Sequence, residues 1–155
     1  MPDDSSPDRL KLNDFLCFAV YATGHEFNRV YKPLLEPLGL TYPQYLVMSA
    51  LWETDGQTVS ELGATLSLES NTLTPLLKRL EARGRVRRVR DARDERLVRL
   101  QLTDAGRALS QEAERVPACV FEASGLSLDE LKTLQRQITQ LRSALAAYGA
   151  ATKPA

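Results

Sequence analysis

The chain is poor in the residues that most often build metal and catalytic sites: 155 residues include one histidine and two cysteines. Cys17 and Cys119 lie far apart with no CxxC pair, and His25 cannot complete a metal site with them at any familiar spacing. No metal and no cofactor is expected. A disulfide framework is excluded as well, and in a reducing compartment the two thiols are either inert packing groups or a transient redox pair. Long apolar runs are missing: nothing approaches the roughly 20 residues that cross a bilayer. The start, Met1 to Asp8, is acidic and has no apolar segment of the kind a signal peptide carries. The cytoplasm is the expected compartment, with no membrane partner. Net charge is absent too, since 20 basic residues balance 20 acidic ones.

That neutrality hides an uneven distribution. Residues 78 to 99 hold ten Lys/Arg against four Asp/Glu, which makes this stretch +6 and the remainder −6. The stretch belongs to a longer pattern. From Glu69 to Arg83, Leu73, Leu76, Leu77 and Leu80 fall at i, i+3, i+4, i+7, the stripe of a helix with one buried face. Its other face carries Asn71, Thr72, Lys78, Arg79 and Ala82. Gly84 follows where a left-handed C-cap would place it. Pro75 is the one dissenting local signal, because it removes a backbone bond and disfavours helix at Thr74; the unbroken leucine stripe predicts that the helix continues. Val86, Val89, Val98, Leu100 and Leu102 then alternate with Arg87, Arg88, Arg90 and Arg99 around the polar turn Asp91 to Arg96, a hairpin with a charged tip. Cations clustered beside a helix that exposes small polar groups form the footprint of a duplex-DNA reader, against the plain alternative of a solvated charged face.

The rest of the chain frames this unit. Leu10 to Tyr31 reads as a first helix that Pro33 stops, and its stretch Phe15 to Ala22 is apolar all the way round. Such a helix is expected to be buried on every side, in a small protein partly by a second subunit. Pro33 to Leu38 reads as a short turn closed by Gly39, and Thr41 opens a helix with Pro43 in its first turn. Thr58 and Glu61 make a capping box for a helix with Val59, Leu62 and Leu66 on its apolar face. Helix, short turn, helix and hairpin is the layout of a winged helix-turn-helix. Thr103 caps a helix running to about Val116, where Pro117 interrupts. Ser127 caps the last helix, in which Leu131, Leu134, Ile138, Leu141, Leu145 and Tyr148 step by 3, 4, 3, 4, 3, a heptad seam fit for a dimer interface. The expected fold is therefore mainly α with a small β-hairpin wing, a winged helix-turn-helix with N- and C-terminal dimerisation helices. Residues 10–149 are expected to form one domain, with a DNA-binding lobe at about 41–103, dimerisation helices at about 10–38 and 104–148, and disordered tails at 1–9 and 150–155.

The run Asp91-Ala-Arg-Asp-Glu-Arg-Leu-Val-Arg-Leu-Gln-Leu-Thr-Asp-Ala-Gly-Arg-Ala-Leu109 resembles the wing signature of the MarR family of bacterial transcription regulators. Leu16-Cys-Phe-Ala-Val-Tyr21, Tyr31-Lys-Pro-Leu-Leu35 and Leu40-Thr-Tyr-Pro-Gln-Tyr45 are similar to its organic-hydroperoxide-sensing OhrR branch, and the likeness covers about Leu12 to Leu145. The resemblance implies a homodimeric repressor in which Cys17 is the redox sensor. Tyr31 and Tyr42 would hydrogen-bond to Cys17, and Tyr21 and Phe18 would line the pocket. Cys119 would resolve the oxidised thiol into an intersubunit disulfide that releases an inverted-repeat operator. Tyr21, at i+4, shares a helix face with Cys17. Tyr31 stands fourteen residues on, about 21 Å along one helix, so it can meet Cys17 only across a dimer. The apolar surround of Phe15, Phe18 and Phe27 favours lipid-like or aromatic peroxides as effectors. On DNA, Asn71, Thr72 and Thr74 are the candidates for base edges and Ser70, Lys78 and Arg79 for the backbone, with Arg88 a further DNA-binding candidate. Arg96, braced by Asp94 and with Arg93 nearby, is expected in the minor groove. The nearest rival is a repressor released by a small aromatic or phenolic ligand without redox chemistry. A thiol peroxidase and a pure dimerisation module are the others, and no enzymatic activity is expected.

Overall fold

A computed structural model describes residues 11–152, so the expected tail at 1–9 and residues 153–155 lie outside the described residues. The chain divides into two compact units between Val116 and Pro117.

The first unit opens on a 3-10 turn, Leu12–Asp14, and then α1, Leu16–Leu35. The helix begins at Leu16, later than its apolar content predicts. Asp14 turns back so that its carboxylate accepts from the Lys11 backbone N–H at 3.0 Å, and Phe15 follows in an extended conformation. At the other end Pro33 lies inside α1 instead of stopping it. A proline in the last turn costs the helix only the bond to the carbonyl four residues back. Continuing places Leu35 and Leu38 in the core. The 3-10 turn Glu36–Leu38 extends the run until Gly39 (φ 66°) closes it.

Thr41 caps α2, Tyr42–Glu53, in a reciprocal box with Gln44. This helix is the centre of the unit: Tyr45, Val47, Met48, Ala50 and Leu51 are all buried. Thr58 and Glu61 cap α3, Val59–Leu66, as their spacing predicts, with Thr58 N–H donating to Glu61 at 2.7 Å. After a tight turn through Ser67 comes α4, Ser70–Ala82, which runs on through Pro75. Leu73, Leu77 and Leu80 are fully buried and Leu76 is half-buried, so the leucine stripe outweighs the lost backbone bond. Gly84 (φ 66°) ends α4 in a Schellman motif: its N–H reaches Glu81 O at 2.9 Å, and that of Arg85 reaches Leu80 O at 2.9 Å.

Strands β1, Val86–Arg90, and β2, Val98–Leu102, pair antiparallel with Val86 opposite Leu102 and Arg90 opposite Val98. The Gln57–Thr58 segment borders β2 as well, through Leu100 N–H to Gln57 O at 2.8 Å and a bridge between Thr58 and Arg99. Thr103 caps α5, Asp104–Glu112, which ends before Val116. Pro117 stands in the first turn of the next helix, α6, Val116–Ser124. A proline there loses nothing, because first-turn N–H groups have no helical partner; it marks a beginning, not an interruption.

The second unit consists of α6 from Pro117 onward and α7, Leu128–Ala151, capped by Ser127 and Glu130. The last helix keeps Ala150 and Ala151, which the sequence pattern assigns to a tail. Its heptad positions Leu134, Ile138, Leu145 and Tyr148 are exposed within one chain, Tyr148 by 72%. The first part of α1 is also exposed, Leu16 by 62%, although its composition predicts burial on every side. Both stretches carry the composition of an interior, and each is exposed among the described residues. Among the described residues, no helix is long and apolar enough to cross a membrane, and no group of three His, Cys, Asp or Glu is placed to hold a metal ion.

Candidate nucleic-acid interface and thiol site

Burying Leu73, Leu77 and Leu80 turns the opposite face of α4 outward. Ser70, Asn71 and Thr72 are exposed in its first turn, and Lys78 and Arg79 are exposed two turns on. Thr74 is half-buried, and its hydroxyl donates to Ser70 O at 2.7 Å, which leaves its oxygen free to accept. The helix therefore presents short polar groups near its start and cations toward its end, with the macrodipole also favouring an anion at the start.

The hairpin divides its arginines between structure and surface. Arg93 and Arg96 at the tip are exposed. Asp94 accepts the Arg96 backbone N–H at 3.1 Å and stands 3.8 Å from its guanidinium, so the side chain is loosely braced and 94% exposed. Arg88 leans on Glu81 of α4 at 3.4 Å, which ties the strand to α4 while leaving its residue exposed.

Arg99 has a different task from the one its charge implies. Its Nε donates to the Asp91 carboxylate, its Nη1 donates to Gly56 O at 2.9 Å, and Glu61 lies 3.8 Å away. Asp91 also accepts the backbone N–H groups of Arg93 (2.7 Å) and Asp94 (3.0 Å). The Arg99 guanidinium and those two amides lower the Asp91 pKa to about 2. One carboxylate thus folds the tip and locks it to the start of β2, and Arg99 carries the lock onward to the loop before α3. In the sequence Arg99 counts only among the cations. The signal that could have found its role is Asp91 itself, since an Asp opening a turn commonly accepts the N–H two residues on. Two further ties have no local signature. Asp55 accepts the Leu102 N–H at 2.8 Å and pairs with Arg107 at 3.1 Å, and the Arg83 guanidinium donates to Gly39 O.

Cys17 is the second residue of α1 and is exposed. At that position its backbone N–H has no helical partner, and the helix dipole favours a negative group. Phe18 beside it is half-buried. Tyr21, one turn along, is exposed and meets His25 edge-on with ring centroids 4.5 Å apart. Tyr31 and Tyr42, at opposite ends of the α1–α2 connection, come together as a stacked pair with 4.3 Å between centroids. Burial, then the neighbouring Tyr42 and Tyr45, push the Tyr31 pKa up to about 12, and burial raises that of Tyr42. Both phenols therefore remain O–H donors throughout the physiological range. Because α1 is unbroken from Leu16 to Leu35, Tyr31 and Cys17 of one chain stay about 21 Å apart. Cys119 lies in the second unit and is half-buried.

Comparison with known proteins gives the same outline. Residues 29–113 match the family described as "Transcriptional regulator SarA/Rot". The HTH-type transcriptional regulator TtmR of Methylorubrum extorquens (strain PA1) is 47% identical over 153 residues, which cover 99% of this chain and 78% of that protein. The organic hydroperoxide resistance transcriptional regulator of Bacillus subtilis (strain 168) is 42% identical over 138 residues, 89% of this chain and 94% of that one. Among solved structures, AbfR of Staphylococcus epidermidis superposes with a TM-score of 0.74 at 38% identity, covering 88% of this chain and 94% of that chain. AbfR is also known in a reduced form bound to DNA (TM-score 0.70), an overoxidized form bound to DNA (0.73) and a disulfide form (0.58). With a winged helix-turn-helix between outlying helices and relatives of this identity along nearly its whole length, the chain belongs to the MarR family of transcriptional regulators and is not an enzyme.

Proposed function

We propose that this protein is a homodimeric repressor that binds an inverted-repeat operator and leaves it when an organic hydroperoxide oxidises Cys17. The carrying observation is the pairing of an exposed thiol on the first turn of α1 with a Tyr31–Tyr42 phenol pair that the same helix holds about 21 Å away. Within one chain the two halves of such a site cannot meet. In a dimer built on the uncovered apolar stretches of α1 and α7, the thiol of one protomer reaches the phenols of its partner. The Bacillus subtilis relative named for organic hydroperoxide resistance, and AbfR with its reduced and disulfide forms, support this reading.

The chemistry uses groups the chain provides. The Cys17 thiolate attacks one peroxide oxygen, the O–O bond breaks, and the alkoxide leaves and takes up a proton as the alcohol. Cys17 becomes a sulfenic acid. Tyr31 and Tyr42, kept protonated by burial, donate hydrogen bonds to the thiolate and hold it at the mouth of an apolar pocket. The Cys119 thiolate then attacks the sulfenic sulfur and displaces hydroxide, which leaves as water, and the disulfide halts further oxidation. Closing that bond requires Cα atoms within about 7 Å, so the helices must shift if the two cysteines start further apart. Two recognition helices read successive major grooves when they stand about 34 Å apart, so a shift of a few ångströms between protomers ends binding.

Peptide mapping after treatment with one equivalent of cumene hydroperoxide tests the assignment. Wild type should yield a Cys17–Cys119 cross-link between protomers. Cys119→Ser should yield Cys17 sulfenic acid, trappable by a dimedone probe, and Cys17→Ser should yield neither. Oxidation of Cys119 with Cys17 untouched would overturn these roles.

A further inference from the structure

We infer that Tyr45 and Trp52 form a rigid tie between the phenol pair and the base of the hairpin, through which oxidation at the thiol site reaches the wing of the same protomer. This route rests on the redox function proposed above and is its regulation within one protomer. Tyr31 stacks on Tyr42 and also packs against Tyr45, with centroids 5.6 Å apart. Tyr45 is buried and meets Trp52 edge-on at 6.1 Å. Trp52, the sole tryptophan, donates its indole N–H to Gly106 O at 2.9 Å, a contact spanning 54 positions in sequence. Gly106 in turn lies so close to Arg85, the residue before β1, that a Cβ there would stand 3.0 Å from the Arg85 carbonyl carbon. Thr103 joins the same knot: its hydroxyl donates to Gly84 O at 2.6 Å, and its oxygen accepts the Gly106 N–H at 3.0 Å.

Four aromatic rings and one directed hydrogen bond therefore connect α1 to the point where β1 leaves α4. Packed rings cannot deform by degrees; they shift between discrete arrangements. Reorganising the Tyr31–Tyr42 pair moves Tyr45, and Tyr45 levers Trp52 against α5 and the hairpin base. Trp52 is a positioning residue in this scheme, since it touches neither DNA nor the thiol. Its indole N–H gives the tie its direction, because that bond fixes the ring to one acceptor, Gly106 O, on α5.

The test compares wild type, Trp52→Phe, Tyr45→Phe and Tyr45→Leu as full-length proteins. For each, the Kd for the operator duplex is measured reduced and after stoichiometric cumene hydroperoxide, with the rate of Cys17 oxidation and Tm recorded alongside. Trp52→Phe keeps an aromatic ring and loses the donor together with the second ring of the indole, so its Tm reports the lost packing separately from the coupling. It should bind DNA within about twofold of wild type when reduced, oxidise at the wild-type rate, and show an oxidised-to-reduced Kd ratio about fivefold smaller, as one hydrogen bond between two states allows. Tyr45→Leu should lose coupling in the same way, and Tyr45→Phe should restore it. A wild-type ratio in Trp52→Phe, with Cys17 fully oxidised, would overturn the tie while leaving the redox function standing. Loss of peroxide response in wild type itself would instead count against the redox function.

Discussion

Gly106→Ala sets two physical effects of opposite sign against each other. Gly106 lies in the first turn of α5, where its N–H is capped by Thr103. Considered as helix alone, exchanging glycine for alanine should stabilise by about 1 kcal/mol, because alanine loses less backbone entropy. The surroundings reverse that sign. The new methyl would overlap the Arg85 carbonyl oxygen and stand 3.0 Å from its carbon and 3.4 Å from Leu102 Cδ2. The first two are backbone atoms and cannot swing aside as a side-chain tip would. Relief requires α5 to move away from the start of β1, which strains the Thr103 cap and the Trp52 contact together. Overpacking of this kind costs about 1–3 kcal/mol or more, and the propensity gain offsets only part of it. The expected net loss is about 1–2 kcal/mol, a fall in Tm of roughly 2–8 °C for a chain of this size. Denaturation would be followed at one fixed protomer concentration, since association contributes to the measured stability. Operator affinity should fall as well, because the hairpin base is displaced. A variant as stable as wild type, or more so, with unchanged DNA binding would refute the reasoning that this glycine is required by close approach.

Three other outcomes follow from the site. Asp91 has a pKa depressed in the folded chain, so its contribution to wing order is complete above its unfolded value near 4 and is lost as pH falls toward about 2. Protection of the Arg93 and Asp94 amides, taken relative to the unprotected exchange rate at each pH, should fall across that window in wild type and be absent at all pH values in Asp91→Ala; protection independent of pH in wild type would contradict this. Arg99→Gln should weaken operator binding by loosening the hairpin from Gly56, with no reduction in the number of phosphate contacts. A decrease of about one in the salt-dependence slope would instead identify Arg99 as a DNA contact. Arg96→Ala should weaken binding most at operators with A/T-rich flanks, where a narrow minor groove concentrates negative potential, and equal losses on G/C-rich flanks would place Arg96 elsewhere.

What can be read from the sequence is local. The leucine stripe of α4 outvotes Pro75, and Leu73, Leu77 and Leu80 are indeed fully buried. Thr41, Thr58, Thr103 and Ser127 each cap the helix they precede, because a capping hydroxyl acts within three residues. Prolines are harder. Pro33 and Pro117 both read as interruptions, yet Pro117 lies in a first turn, where a missing N–H costs nothing, and Pro33 lies in a last turn, where the lost bond is outweighed by the burial of Leu35 and Leu38. Long-range ties are invisible. Nothing near Arg99 announces that its guanidinium will serve Gly56, 43 positions away, and nothing near Trp52 points to Gly106. The apolar start of α1 has the composition of an interior, but among the described residues it is surface, and composition alone does not say what covers it.

The central proposal is a reversible thiol switch on DNA binding. The direct measurement is the affinity of the full-length protein for duplex DNA from its own upstream region, taken reduced, after one equivalent of cumene hydroperoxide, and again after dithiothreitol. Tight binding, loss and recovery are expected in that order, with Cys17→Ser binding throughout. Binding that persists in wild type after Cys17 is demonstrably oxidised would contradict the switch.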